Sequence, residues 1–285
     1  MPMLLMKRIY LILCLGFLVS CDIFDKEEDI PSFVIITSAD LQTTGEEGAN
    51  TSNILDASVF VDDFFVGTFE LPATVPILQE GPAQISVAAG IRNNGLSSDR
   101  RIYPFYDFYR KNVSLIPCET ISLEEDSSIT FTYFDEGLNF VIEDFEDQGY
   151  DLLASSTSNA DMNQPNLPTS YALEVLFTSD SSHFEVRTVW DLVNLPKGSP
   201  MYLEIDYRGT LDLLVGVITV DPIVQKIFAL GIKPQTEFTK VYIELTDEIS
   251  RQITTNQFEI YLEANLPTGA TTGSLYIDNL KFIYP

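Results

Sequence analysis

Apolar and polar residues alternate along most of this chain, and that alternation is the feature that most restricts its fold. The stretch Ala57–Val61 shows it, and turn-forming Gly, Pro, Asn and Asp recur about every ten residues. Helical periodicity is nearly absent, whereas the strand-favouring residues Tyr and Phe number 13 and 19. A period of two places every second side chain on one face of a sheet, so the sequence predicts an all-β protein of sandwiches or jelly rolls.

The first twenty residues have the composition of an export leader. A basic pair, Lys7-Arg8, precedes an apolar run that is too short for a membrane span, which needs about 20 apolar residues. The tetrapeptide Leu18-Val19-Ser20-Cys21 follows and resembles the lipobox of bacterial lipoproteins, in which the cysteine is acylated and the leader removed. We therefore expect a signal peptide over residues 1–20 and lipidation of Cys21, with an ordinary secretory leader as the alternative.

The segment after the cysteine indicates where the chain is sent. Residues 21–31 form an acidic, polar tether that contains Lys26-Glu27-Glu28-Asp29. This cluster resembles the export signal of surface lipoproteins of the Bacteroidota type, which implies a lipid-anchored protein on the outer membrane, exposed at the cell surface. The alternative is that the tether is only solvated.

The charge of the chain excludes one class of partner. The chain has 16 basic and 42 acidic residues, a net charge of −26, which becomes 14 − 42 = −28 without the leader. A field of this sign repels phosphate backbones, so nucleic acid is not expected as a partner. Of the three cysteines, Cys14 lies in the leader and Cys21 is the expected lipid site, so Cys118 has no disulfide partner. We expect Cys118 to be a small buried side chain.

Residues 32–137 are predicted to form the first of two modules. Ala57–Val61 and Phe64–Phe69 indicate a hairpin about an Asp62-Asp63 turn, with further strands near 74–78 and 84–89. The order of hairpin, glycine turn and strand resembles PEGA-type modules, which are small spacers of Ig-like sandwich character. The resemblance implies an Ig-like or PEGA-like β-sandwich and carries no catalytic residue.

An aromatic segment of this module is the first candidate binding surface. Its rings fall on both faces of any strand, so one face is available to a protein partner or ligand if the other is core. The candidate residues are Tyr103, Phe105, Tyr106, Phe108 and Tyr109. The alternative is that a second sheet or the neighbouring module covers this face.

Residues 138–285 carry a second resemblance. They open with Phe140–Asp147, contain Lys240–Thr246 and close with Gly273–Phe282. These motifs resemble the galactose-binding-like jelly roll of carbohydrate-binding modules, in which the first and last strands lie side by side. The resemblance bears on fold more than on function, because this fold serves glycan binding, protein binding and structural support.

The same resemblance implies a structural Ca²⁺ where the opening and closing motifs meet. Ca²⁺ prefers six to eight oxygen ligands, which carboxylates on paired terminal strands supply. Glu146 and Asp278 match the motif positions, and Asp144 and Asp147 are further candidates. The alternative is that Asp278 caps a turn and the other acids are solvated.

Aromatic and apolar patterns favour core packing over a sugar site in this second module. The only tryptophan, Trp190, shares the alternation of Phe184 and Val186 and is expected in the core. Phe238 stands where relatives often have a tryptophan, which weakens the expectation of glycan binding. The apolar region from Leu211 to Ile232 predicts two buried strands, near 213–220 and 224–230, separated by Asp221-Pro222.

No catalytic constellation is evident, so an enzyme is not expected. The only histidine, His183, lies beside two serines in a polar stretch and has no second histidine for a zinc site. The favoured hypothesis is a surface lipoprotein that acts as an accessory subunit or adaptor of an outer-membrane protein assembly. The alternatives are a glycan-binding lipoprotein, which captures polysaccharide through the jelly roll, and an envelope structural or adhesion protein.

Overall fold

The computed structural model of the protein describes residues 29–124, 128–168 and 170–285. The expected leader and its lipidation site, Cys21, lie outside the described residues. Within these residues the chain forms 22 strands and one short helix, which confirms the expected all-β class. No helix in the described ranges is both long and apolar enough to cross a membrane.

The first ten strands pair with one another, and we call residues 32–131 the N-terminal module. These strands are β1 (Ser32–Ile36), β2 (Ala39–Leu41), β3 (Asp56–Val61), β4 (Phe64–Glu70), β5 (Ala73–Ile77), β6 (Gly81–Arg92), β7 (Arg100–Ile102), β8 (Tyr109–Leu115), β9 (Thr120–Ser122) and β10 (Ile129–Phe131). Sheet 1 has the order β5-β1-β9, sheet 2 pairs β2 with β10, and sheet 3 has the order β4-β3-β6. Both β7 and β8 pair with the long strand β6. One core lies between these sheets, and its residues include Val34, Val59 and Val87.

The predicted hairpin is confirmed. Strands β3 and β4 pair antiparallel, and they are joined by Asp62 and Asp63, whose φ angles are +46° and +68°. Two consecutive residues with positive φ are typical of the tight turn whose twist matches that of paired strands, and aspartate tolerates this conformation better than most residues. The Ig-like or PEGA-like assignment of the whole module stays a prediction.

The remaining strands form the C-terminal module, residues 139–284. They are β11 (Asn139–Glu143), β12 (Leu152–Ala154), β13 (Asp161–Asn163), β14 (Leu173–Thr178), β15 (His183–Thr188), β16 (Leu192–Val193), β17 (Tyr202–Gly209), β18 (Leu213–Thr219), β19 (Gln225–Ile232), β20 (Gln235–Glu244), β21 (Gln257–Asn265) and β22 (Thr272–Tyr284). The helix α1 (Thr246–Ser250) lies between β20 and β21.

Two six-stranded sheets make up this module. Sheet 4 has the order β13-β14-β22-β17-β20, with β11 also beside β22; sheet 5 has the order β12-β15-β21-β18-β19, with β16 beside β21. Successive long strands mostly alternate between the two sheets, as in an eight-stranded jelly roll. The expected adjacency of the first and last strands is confirmed, because β11 pairs with β22 from Asn139↔Tyr284 to Glu143↔Leu280. The large apolar core lies between sheets 4 and 5.

The apolar region from Leu211 to Ile232 is only partly buried. Strand β18 is almost fully buried as expected, but β19 is the edge strand of sheet 5 and has neighbours on one side only. The prediction of burial is therefore wrong for Phe228 of β19, and it is also wrong for Ile223 and Val224, which lie in the connection before β19; all three are exposed. Trp190 is buried in the core with Phe184 and Val186, as expected.

Cys118 is exposed, so the prediction of a buried thiol is wrong. It follows Pro117 in a turn, has a φ of +65°, and donates its backbone N–H to the carbonyl of Pro31. The thiol is therefore exposed although Leu115, three residues earlier at the end of β8, is buried.

Candidate functional site

The outer face of sheet 4, opposite the jelly-roll core, carries rows of polar and aromatic side chains. The strand register aligns them across β14, β22, β17 and β20. Row 1 is Glu174, Tyr276 and Arg208, with Phe238 beside Arg208; row 2 is Asp278, Asp206 and Lys240; row 3 is Lys281, Glu204 and Tyr242; row 4 is Ile283, Tyr202 and Glu244.

The N-terminal module covers rows 3 and 4. Tyr202, Tyr242 and Ile283 are buried in the apolar core of that module rather than in that of the jelly roll. The ring of Tyr103 packs against those of Tyr202 and Tyr242 at centroid distances of 5.2 and 4.8 Å. The two modules therefore share one apolar core at this end of the sheet.

A buried carboxylate lies at the centre of the covered area. Glu204 is fully buried, and its Oε1 accepts hydrogen bonds from the hydroxyls of Tyr103 at 2.7 Å and Tyr133 at 2.9 Å. Lys281 donates to the Tyr133 hydroxyl and to the carbonyl of Ala49, both at 3.0 Å. The pKa of Lys281 is lowered to about 8, mainly by burial; the Glu204 carboxylate opposes this decrease and the Lys240 ammonium adds to it.

These contacts correct the expectation for the aromatic segment. Tyr103, Phe105 and Tyr106 were candidates for an exposed binding surface, but all three are buried between the modules and offer no surface to a separate partner. Their hydrophobic faces need cover, and the outer face of sheet 4 supplies it. The alternative reading of the sequence, cover by the neighbouring module, is the arrangement found.

The other two aromatic candidates lie outside this interface. Phe108 is half-buried, and its ring contacts that of Phe60 edge-on at 5.7 Å, with the Arg110 guanidinium 5.2 Å from its centroid. Tyr109 is half-buried, and its hydroxyl donates to the carbonyl of Leu123 at 2.8 Å. Sequence reasoning grouped five residues that the fold separates into two places.

Row 2 lies at the edge of the covered area and forms the floor of a cavity of about 570 Å³. The loop 45–51 of the N-terminal module forms one wall, and the jelly roll forms the other. Thr51 donates its hydroxyl to Asp206 Oδ2 at 2.6 Å, so the two walls are joined directly. The lining residues from the jelly roll are Asp144, Glu146, Ser170, Asp206, Phe238, Asp278 and Asn279.

A β-bulge aims two side chains into this cavity. The register of β22 against β17 shifts between Lys281↔Glu204 and Asp278↔Asp206, which leaves one extra residue on β22. Asn279 there has a φ of +50°, and its side chain donates to Asp206 Oδ2 at 2.8 Å. The bulge therefore places Asp278 and Asn279 together at the cavity floor.

Asp278, at the floor of the cavity, has a raised pKa. Burial raises the pKa of Asp278 to about 6, and the nearby Asp206 and Glu146 carboxylates add to the increase. Hydrogen bonds from the Ser170 hydroxyl at 2.7 Å and from the Asn279 backbone N–H at 2.7 Å oppose it. Asp278 thus changes its charge near the acidic end of the physiological range.

The four residues expected to bind Ca²⁺ are only partly brought together. Asp144, Glu146 and Asp278 line the cavity, whereas Asp147 lies in a separate, shallower hollow. The described residues contain no group of three or more carboxylate, histidine or cysteine side chains placed to hold a metal ion.

Hydrogen bonds and an ammonium group already engage the carboxylate oxygens of Asp206 and Asp278 at the cavity floor. Both oxygens of Asp278 accept hydrogen bonds, and Asp206 Oδ2 accepts two. The other oxygen of Asp206 faces the Lys240 ammonium at 3.3 Å, so a cation already occupies that side. These partners compete with a metal ion for the same oxygens, and calcium binding stays a prediction from the resemblance.

Row 1 is the open end of the same face. The Arg208 guanidinium lies 4.2 Å from the ring centroid of Tyr276 and 4.8 Å from that of Phe238. Phe238 is 37% exposed, and the Tyr276 hydroxyl donates to Glu174 at 2.7 Å. Partly exposed rings beside carboxylate, hydroxyl and amide groups form a surface that can bind a small polar ligand through both ring contacts and hydrogen bonds.

Sequence reasoning missed Asp206, Arg208 and Tyr276. Strand β17 is buried at six consecutive positions because its outer face is covered too, so the alternation that separates core from surface is hidden there. The polar residues Glu204, Asp206 and Arg208 at every second position were the available signal, since three such residues are unusual in a buried strand.

Comparison with known proteins leaves the family open. No protein-family model matches the chain, and no curated protein sequence matches it. Among solved structures, a family 29 carbohydrate-binding module from Piromyces equi is similar over 53% of this chain and 93% of that chain, at 11% identity and a TM-score of 0.39. A mutant family 29 module in complex with mannohexaose is similar over 52% and 93%, at 9% identity and a TM-score of 0.36.

A catalytic protein is also among the similar structures. An arabinose-bound family 51 α-L-arabinofuranosidase is similar over 47% of this chain but only 23% of that chain, at 15% identity and a TM-score of 0.34. Similarities of this size identify neither a shared ligand nor a shared activity. The jelly roll described above stands on its own strand order.

Proposed function

We propose that the protein is a non-catalytic glycan-binding protein whose ligand lies on rows 1 and 2 of sheet 4. The observation that carries the proposal is the meeting, at the uncovered end of this face, of an exposed ring with a cavity of about 570 Å³ that is lined by carboxylate, hydroxyl and amide groups. Sugar rings offer apolar faces to aromatic side chains and many hydroxyls to carboxylates and amides. Phe238 and Asp278 are the residues we expect to matter most.

The absence of an enzymatic role is part of this proposal. His183 lies on β15, where its Nδ1 is 2.8 Å from Asn265 Oδ1 and its Nε2 is 3.6 Å from Glu185. It is on sheet 5 rather than on the face proposed to bind glycans. The carboxylates at the cavity are engaged in hydrogen bonds with Ser170, Thr51 and Asn279, which suits holding hydroxyls more than proton transfer.

The cellular setting of the proposal comes from the sequence. A lipid on Cys21 and an acidic tether would hold the protein at the outer membrane with the jelly roll outside the cell, where polysaccharide is met. A non-catalytic binding protein in that place captures glycan for other proteins to use.

A second candidate function is the accessory subunit or adaptor that the sequence favoured. Its expected contact residues, Tyr103, Phe105 and Tyr106, are buried, but Phe64 and Phe65 on the edge strand β4 are 78% and 60% exposed. Exposed aromatic residues are typical of protein interfaces. If an outer-membrane protein co-purifies with the unaltered protein and is lost when Phe64 and Phe65 are changed to Ala, this candidate is favoured.

No comparable observation supports the third hypothesis, an envelope structural or adhesion role.

The proposal is tested by glycan arrays followed by calorimetry with the ligands found. Phe238→Ala should weaken binding at least tenfold, because a ring contact of about 1.5 kcal/mol corresponds to that factor. Phe228→Ala is the matched control, since Phe228 is also an exposed phenylalanine but lies on sheet 5. Equal effects of the two changes, or no glycan bound by the unaltered protein, would overturn the proposal.

A further inference from the structure

Arg208 differs from every other arginine in the described part of the chain. The structure describes seven arginines, and six of them lie within 3.7 Å of a carboxylate oxygen: Arg92, Arg100, Arg101, Arg110, Arg187 and Arg251. Arg208 has no ion pair and no hydrogen bond from its guanidinium to another described residue. In a chain with 42 acidic residues, a guanidinium left without a carboxylate is an exception.

The two rings of row 1 keep this guanidinium in place. Tyr276 and Phe238 lie 6.5 Å apart between centroids at 74°, and Arg208 contacts both of them. Cation–π contacts of this kind use the face of the guanidinium, while its N–H donors point outward in its plane. Arg208 is therefore positioned by groups that do not use up its hydrogen-bonding capacity.

Arg208 also lines a second cavity, which shares no lining residue with the acidic one. This cavity has a volume of about 410 Å³. Its described lining residues are Arg208, Gly209, Thr210, Gln235, Thr236, Ser274 and Tyr276, and none of them is acidic. Four hydroxyl-bearing side chains and one amide thus surround a single positive charge that has no carboxylate partner among the described residues.

We infer that this cavity binds the carboxylate of a uronic acid residue within a bound polysaccharide. The inference rests on the proposed glycan-binding function and specifies its ligand class. A carboxylate matches the planar donor fork of arginine with two parallel hydrogen bonds, and the threonine, serine and glutamine side chains suit the neighbouring hydroxyls. The acidic cavity of row 2 then takes an adjoining neutral sugar, because Asp206 and Glu146 repel a second carboxylate.

The negative charge of the whole protein does not prevent such binding. Exposed charges are screened over about 8 Å at physiological salt, so a ligand carboxylate responds mainly to the charges beside it. The carboxylate closest to Arg208 in row 1, that of Glu174, already accepts the hydroxyl proton of Tyr276 in a hydrogen bond.

The experiment compares oligosaccharides of galacturonic, glucuronic and mannuronic acid with their methyl esters, with neutral oligosaccharides and with sulfated oligosaccharides, by calorimetry on the full chain. Methyl esterification removes the charge and keeps the sugar, so each pair isolates the carboxylate. The variants are Arg208→Gln, which removes the charge, and Arg208→Lys, which keeps it without the fork. Arg187→Gln is the control, because Arg187 is an arginine of sheet 5 that is paired with Glu259.

We expect at least one acid to bind about tenfold more tightly than its ester. Arg208→Gln should bring acid and ester to equal affinity, Arg208→Lys should restore part of the difference, and the control Arg187→Gln should keep all of it. Equal binding of acid and ester, an unchanged preference in Arg208→Gln, or tighter binding of sulfated sugars than of uronates would overturn the inference alone. Absence of any glycan binding by the unaltered protein would overturn the proposed function with it.

Discussion

The hydroxyl of Tyr103 donates a hydrogen bond to Glu204 Oε1 at 2.7 Å, and neither side chain reaches solvent. The two residues belong to different modules, so a buried charge of the jelly roll depends on a hydroxyl of the N-terminal module. Glu204 Oε2 has no hydrogen-bond partner among the described residues, which makes each donor to Oε1 important.

Tyr103→Phe should lower the free energy of unfolding by about 1.5–3 kcal/mol, because a hydrogen bond to a buried charged group is lost while the ring remains. Urea denaturation of the two proteins measures this difference. Tyr284→Phe is the control, since Tyr284 is half-buried and its hydroxyl makes no hydrogen bond to a described residue. A Tyr103→Phe protein as stable as the unaltered one would show that Tyr133 alone satisfies Glu204.

The two modules should unfold in one cooperative transition. Tyr202, Tyr242 and Ile283 of the jelly roll lie in the apolar core of the N-terminal module, so melting either module exposes apolar surface of the other. Differential scanning calorimetry should give equal calorimetric and van't Hoff enthalpies. Two resolved transitions would mean that the modules are stable separately, as the sequence-based division into 32–137 and 138–285 suggested.

Asp278→Asn should flatten the dependence of stability on pH between about pH 4 and 6. The pKa of Asp278 is raised from 3.8 to about 6 in the folded protein, so its contribution to stability is complete below 3.8 and is lost as the pH rises through 6. The free energy of unfolding of the variant should therefore rise relative to that of the unaltered protein, by up to about 3 kcal/mol, as the pH increases over this range. Urea denaturation at several pH values measures the difference, with the exposed Asp161→Asn as control.

Saturating Ca²⁺ should leave the melting temperature within about 1 °C of its value in chelator. The oxygens of Asp278 and Asp206 already accept hydrogen bonds or face Lys240, so few ligand oxygens are free. A site with 100-fold excess of ion over its dissociation constant would instead add about 2.7 kcal/mol of stability. Such a rise, abolished by Glu146→Gln, would restore the calcium site that the resemblance implies.

Cys21→Ala should abolish incorporation of labelled fatty acid and release the protein from the membrane fraction. A lipid-linked cysteine is the only anchor that the sequence predicts. Metabolic labelling and fractionation of cells measure both effects, and Cys118→Ala is a matched control because its thiol is also expected to be free. Retention of label after Cys21→Ala would show that the leader is not of the lipoprotein type.

Local patterns were sufficient to predict the all-β class and the first hairpin, and the resemblance to a galactose-binding-like jelly roll predicted that the first and last strands of that module are neighbours. The Asp62-Asp63 turn fixed the first hairpin through backbone conformation alone, and the opening and closing motifs of the second module indicated that β11 and β22 are neighbours. The first prediction depends on residues close in sequence, and the second depends on the resemblance.

The binding face could not be predicted in the same way, because it depends on register between distant strands. Arg208 meets Tyr276 and Phe238 only once β17 pairs with β20 and β22. The aromatic segment around Tyr103 indicated that one face must be buried, but the sequence left open whether a second sheet or the neighbouring module buries it. The edge position of β19, which exposes Phe228, is likewise a property of the sheet and not of the strand.

The buried charges between the modules also restrict how the modules can be arranged. Glu204 Oε1 accepts hydrogen bonds from the hydroxyls of Tyr103 and Tyr133, and Lys281 donates to Tyr133 and to the carbonyl of Ala49. A sideways shift of the modules by one strand spacing would leave these buried charges without those partners in an apolar setting. Apolar contacts alone would tolerate several such arrangements. The polar network thus permits only one relative orientation of the two modules. This orientation determines how far the loop 45–51 extends over the row 2 cavity of sheet 4.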